Sequence, residues 1–82
     1  MIWRFTIRLK GIDALSDDQI EALFAAGCTD GVPASSCGES WIDFDRDAPT
    51  LEQAMRSALQ DVKQAGLIVA RVEVDEEAFA GI

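Results

Sequence analysis

Histidine is absent from this sequence, cysteine occurs twice, and seven Lys and Arg residues stand against fifteen Asp and Glu. Each shortage removes a class of chemistry. Ser35, Ser36 and Ser40 have no imidazole to act as their base, which excludes a Ser–His nucleophile. Two cysteines without histidine fall short of the four ligands of a structural zinc site. Direct binding to a nucleic-acid backbone needs clustered bases to neutralise phosphates, and a net charge of −8 opposes it. No apolar run approaches the ~20 residues of a membrane-spanning helix. The N-terminus alternates too strictly to be a signal peptide, so a cytoplasmic location is expected.

Other sites fail on spacing. Asp43-Phe44-Asp45-Arg46-Asp47 opens like a calcium loop, but Ala48 stands where that loop needs Gly and Ala54 where it needs a bidentate Glu. No glycine-rich phosphate cradle is present. The expectation is a non-enzymatic protein with no cofactor and no metal. Cys28 and Cys37 bracket a candidate strand, which would hold their sulfurs some 20 Å apart at ~3.3 Å per residue. A disulfide needs Cα atoms within about 7 Å, so both thiols are expected free.

What is present is a clear pattern of elements. Leu51, Ala54, Met55, Ala58, Leu59, Val62 and Ala65 mark the stripe of an amphipathic helix, with Leu59 at its centre. Glu52, Gln53, Arg56, Gln60, Asp61, Lys63 and Gln64 fill its other faces. Thr50 and Gln53 form a capping box, and Gly66 closes the helix with Leu67 folding back onto Val62. Ser16 and Gln19 repeat the box at an earlier helix, flanked by Leu15 and Ile20 as a staple, with Ile20, Leu23, Phe24 and Ala26 inward and Gly27 as the stop. Asp17 and Asp18 occupy its first turn, where the helix dipole favours acids.

Strands alternate around these helices. Trp3, Phe5, Ile7 and Leu9 share one face of the first strand, and Arg4, Thr6, Arg8 and Lys10 the other. Asp30 to Ser40 is weaker: Pro33 demands an edge position, and Gly38-Glu39 has the form of a II′ hairpin turn. Ser40 to Asp45 turns Ile42 and Phe44 inward and Trp41, Asp43 and Asp45 outward. Leu67 to Asp75 turns Ile68, Ala70, Val72 and Val74 to the core.

The order β-α-β-β-α-β over residues 1–82 describes one α+β domain of the ferredoxin-like plan. It implies a four-stranded antiparallel sheet, order 4-1-3-2, with two helices on one face. Arg4, Arg8 and Lys10 would then be flanked by Asp43 and Asp45 on one side and by Glu73 and Asp75 on the other, as structural counter-charges.

The remaining acids are unevenly distributed. From Gly11 to Asp45 there is no Lys or Arg, yet there are eight acids. Asp17 and Glu21 are like charges at i, i+4, which disfavours the helix slightly. Glu73, Asp75, Glu76 and Glu77 form a second acidic group. A basic partner surface is the natural complement. Asp13, Asp17, Asp18 and Glu21, supported by Asp30 and Glu39, are the expected partner-binding residues.

Four stretches carry a resemblance. Leu23-Phe24-Ala25-Ala26-Gly27-Cys28-x-Asp30, Phe44-Asp45-Arg46-x-Ala48-Pro49, and Ala54-x-x-Ser57-Ala58-x-x-Asp61-Val62-x-x-Ala65-Gly66-Leu67 with Arg71-Val72-Glu73 resemble the N-terminal half of small bacterial regulators. The second half of those regulators is a DNA-binding helix-turn-helix, which this sequence lacks before it stops at Ile82. By size, charge and expected fold the chain is also similar to small acidic phage anti-CRISPR proteins. That second likeness implies a DNA mimic, monomeric or weakly dimeric, in the bacterial host's cytoplasm. Its partner would be the basic DNA-binding groove of a type I CRISPR surveillance complex. The first likeness implies instead a regulatory or dimerisation domain of a transcriptional regulator.

Overall fold

Residues 1–74 are described by a computed structural model of the chain. The elements run β1 (Ile2–Leu9), α1 (Asp17–Ala26), β2 (Gly31–Ser36), β3 (Glu39–Asp47), α2 (Leu51–Gln64) and β4 (Val69–Val74). They form an α+β fold with one antiparallel sheet, order β2-β3-β1-β4. Sheet order has no direction, so counted from its other edge the same sheet runs 4-1-3-2. Asp75, the acids Glu76 and Glu77, and the apolar tail Phe79 to Ile82 lie outside the described residues.

Both helices are punctuated by local chemistry. The Ser16 hydroxyl accepts from the Gln19 N–H while the Gln19 side chain accepts from the Ser16 N–H, a complete capping box. α2 has the Thr50 half: its hydroxyl accepts from the Gln53 N–H at 3.2 Å. At the other end the Leu67 N–H reaches the Val62 carbonyl and the Gly66 N–H that of Lys63, with Gly66 at φ +87°. That is a Schellman closure, which needs the left-handed residue glycine supplies.

β1 sits between β3 and β4, and its alternation sets the layering. Phe5, Ile7 and Leu9 point to the helices, opposite Phe44 and Ile42 on β3. Phe5 and Phe44 face each other directly and stack with centroids 5.4 Å apart. Leu23 of α1 and Ala54, Ala58 and Val62 of α2 complete the buried layer. Alanine at two of those α2 positions lets the helix approach the sheet closely. β2 also lies close: a Cβ at Gly31 would stand 2.8 Å from Ile42 Cγ2.

Five expectations need correction. Leu59 and Phe24 lie at the margin of the core, Leu59 half-buried and Phe24 46% exposed. The helix axis aims Ala54, Ala58 and Val62 at the sheet, so the stripe's centre is one position away from Leu59. The hairpin turn is Cys37-Gly38, with φ +53° and +76° and Ser36 opposite Glu39, rather than a II′ turn at Gly38-Glu39. Positive φ at both central residues is the I′ form that matches strand twist. In β4 a bulge changes the parity: Arg8 pairs Arg71 but Leu9 pairs Val69, leaving Ala70 out of register. Val69 therefore joins the core, and Ile68 and Ala70 are exposed. Asp61, assigned to the solvent face of α2, is drawn partly under cover.

This layering distinguishes two leucines. Leu23→Ala removes a side chain 1% exposed and should cost about 2–5 kcal/mol. Leu59→Ala should cost roughly 1 kcal/mol, because much of the side chain already meets water. Thermal melting of the two variants checks the order; a larger drop for Leu59→Ala would contradict the layering.

Candidate functional site

Strand parity carries one basic residue inward. Arg46 lies opposite Trp3 on the helix-facing side of the sheet and is 8% exposed. All five of its N–H donors find acceptors. Nε and Nη2 bind the two oxygens of Asp30 at 2.8 and 2.9 Å. Nη1 reaches Asp61 Oδ2 and Ser57 Oγ, both at 3.0 Å, and Nη2 also meets the Gly27 carbonyl at 3.2 Å. The guanidinium carbon stands 5.2 Å from the centre of the Phe44 ring. The Asp30 hydrogen bonds outweigh burial and push the already high Arg46 pKa further up. The group is a permanent cation.

Cys28 is buried beside this cluster, and Cys37 is exposed in the hairpin turn. Burial, reinforced by the Asp61 charge, pushes the Cys28 thiol up to about 11.

The opposite, helix-free sheet face holds a second charge set. Arg4 pairs with Asp45 at 3.0 Å, and Arg8 with Glu73 at 2.9 Å and Glu39 at 3.4 Å. Thr6 donates to Asp43 at 2.7 Å, and the Arg8 guanidinium lies 4.7 Å from the Trp41 ring centre. Arg8 and then Arg71 hold Glu73 below the ordinary carboxylate range. These arginines are counter-charges to the neighbouring strands. Such exposed pairs contribute about 0–1 kcal/mol each. The shallow, open depression over Arg4, Thr6, Asp43 and Asp45 is lined by residues already engaged with one another.

With Arg56 paired to Glu52, all five arginines are in ion pairs with carboxylates. The acid excess is therefore left elsewhere. Asp13, Asp17, Asp18 and Glu21 are exposed, and among the described residues none of them is in an ion pair. The buried Ser40 hydroxyl donates to the Ile12 carbonyl at 2.8 Å, which ties the loop carrying Asp13 to the start of β3 beside Glu39. Five of the six expected binding residues thus share the end of the molecule where α1 begins.

Asp30 does not join them. It sits at the far end of β3, where its carbonyl accepts from the Asp45 N–H and its carboxylate holds Arg46. From Glu39 to Arg46 the strand spans about 23 Å at ~3.3 Å per residue. Asp30 belongs to the scaffold. The missed signal was parity: Ile42 and Phe44 face inward, so extending the strand one residue beyond Asp45 turns Arg46 inward too. Among the described residues no group of three or more Cys, Asp or Glu side chains is arranged to hold a metal ion.

The chain matches no protein-family model, no curated protein and no solved structure.

Two outcomes follow from the buried cluster. Arg46→Ala leaves two carboxylates without their cation and should destabilise the fold by about 3–5 kcal/mol. The urea midpoint should fall with little change in slope, and added salt should not restore it. An exposed-pair variant such as Arg56→Ala should change stability by less than about 1 kcal/mol.

The thiols give the second. One thiol per native chain, that of Cys37, should react with a disulfide reagent near neutral pH, and both should react in denaturant. Because the fold raises the Cys28 pKa, its contribution is present below the unfolded value near pH 9 and is lost as pH rises towards about 11. The alkaline decline in stability should flatten in Cys28→Ala, measured by denaturation between those pH values.

Proposed function

We propose that this chain is a non-enzymatic binding domain whose acidic end seats on a basic nucleic-acid-binding surface of a protein partner. The contact set is Asp13, Asp17, Asp18 and Glu21, with Glu39 beside them. One observation carries the reading. Every arginine is committed to an ion pair, Arg8 partly to Glu39 at this end, while four carboxylates around the start of α1 are exposed and outside any described pair. Asp17 and Glu21, one turn apart, repel each other in the free chain, and a cationic partner relieves that cost.

At the finer level the fold is of the ferredoxin-like plan, and the partner is the DNA-binding groove of a type I CRISPR surveillance complex. The domain acts there as an anti-CRISPR DNA mimic in the bacterial cytoplasm. Steering by net charge −8 then acts mainly on the association rate.

A specific observation favours a second reading, the regulatory domain of a bacterial helix-turn-helix regulator. The stretches that resemble such regulators supply Asp30, Arg46, Ser57 and Asp61, and these four meet in the one buried cluster. That supports a shared architecture and says nothing of a shared partner.

The test compares two charge-matched variants, each confirmed as folded by circular dichroism. Asp17→Lys/Asp18→Lys/Glu21→Lys alters the acidic end; Asp45→Lys/Asp47→Lys/Glu52→Lys alters exposed acids elsewhere. In pull-down and DNA competition against a type I surveillance complex, the first should bind at least tenfold more slowly and the second much less so. Wild-type binding should compete with DNA and weaken as salt shortens the screening length below ~8 Å. Equal losses would reduce the effect to net charge. No wild-type binding to any such complex would leave the regulator reading ahead.

A further inference from the structure

The sheet has two edges, and they differ. β2 carries Pro33, which offers no N–H to a further strand, and runs into the tight Cys37-Gly38 turn. β4, at the other edge, is Val69-Ala70-Arg71-Val72-Glu73-Val74, without a proline. Its helix-facing side chains are also less covered than those of the central strands. Val72 and Val74 are half-buried, whereas Phe5, Ile7, Ile42 and Phe44 are at most 2% exposed. α2, which packs on β4 as well as on β1 and β3, carries half-buried Met55 and Leu59 beside the core. Just before the strand, Ile68 is 63% exposed.

The helix-free side of β4 has an unusual charge arrangement. Arg8 and Arg71 are direct cross-strand neighbours, a like-charge pair that a sheet disfavours. Both reach one carboxylate: Arg8 binds Glu73 Oε1 at 2.9 Å and Arg71 binds Oε2 at 3.2 Å.

We propose that β4 is the seam of a weak homodimer, in which two copies pair antiparallel with Val72 on the two-fold axis and form one eight-stranded sheet. The occupant is argued from the register. Antiparallel pairing centred on Val72 sets Arg71 opposite the second copy's Glu73, twice by symmetry. The edge is thus complementary in charge to itself, and each crowded arginine pair gains a second carboxylate. On the helix side, Val72 meets Val72, covering part of the less buried margin of the core. A seam confined to residues 70–74 of the strand buries less than a permanent interface requires, so the association is reversible and dependent on concentration. The seam residues Arg71, Val72 and Glu73 lie outside the acidic contact set, and the proposal holds whichever partner that end takes.

The experiment uses the full chain in sedimentation equilibrium up to millimolar concentration, with Arg71→Glu and Glu73→Arg alone and mixed. Wild type should associate. Each single reversal sets like charges opposite across the seam and should weaken self-association about tenfold. An equimolar mixture should recover it, because the mixed pair again opposes unlike charges at both positions. Circular dichroism confirms folding, and if Glu73→Arg fails to fold beside Arg8, the double swap Arg71→Glu/Glu73→Arg replaces the mixture and should associate like wild type. A wild type that stays monomeric at millimolar concentration overturns the proposal. So do single reversals that associate as well as wild type, or a mixture or double swap without recovery.

Discussion

The Arg46 guanidinium is the interaction on which the rest of this small fold depends. It joins β3 to the loop before β2 through Asp30 and to α2 through Asp61 and Ser57. It also ties the end of α1 into the same cluster by donating to the Gly27 carbonyl. A buried ion pair of this kind is not a large net source of stability, since desolvating three charges offsets much of the attraction. Its effect is selective: any packing that leaves one partner unpaired is costly. Complete use of the five donors also leaves nothing there for a ligand, so the most polar interior spot in the described residues is scaffold.

That arrangement decides how charge is distributed on the surface. One arginine is consumed inside, three serve the helix-free sheet face, and one pairs within α2. The acidic loop and first turn of α1 are left without such neighbours, and the capping box holds Asp17 and Asp18 on an ordered helix start. In the proposed function, this capped helix start leaves less conformational entropy to lose on binding.

Much of the architecture was legible because local signals agreed. Ser16 with Gln19, Gly27, Thr50 and Gly66 mark helix ends by hydrogen bonds that need no tertiary partner. Strict alternation in β1 and in Trp41 to Asp45 assigns faces at period two. Pro33 announces an edge. Those features imply the sheet order, and with it the pairing of Arg4 and Arg8 with acids on the neighbouring strands.

Other features depend on long-range geometry that no local pattern encodes. The β4 bulge exchanges Ile68 and Ala70 for Val69, because pairing with Leu9 rather than intrinsic preference sets the register. Leu59 is less buried and Asp61 more buried than expected because the direction in which α2 meets the sheet is fixed by Ala54 and Ala58 packing. By itself the sequence determined where each helix begins and ends and which strands are central, through caps, glycine stops and alternation. Only the tertiary structure decided which acids are drawn into ion pairs: Asp30 and Arg46 are sixteen residues apart, and a buried cation recruits whichever carboxylates the fold brings to it.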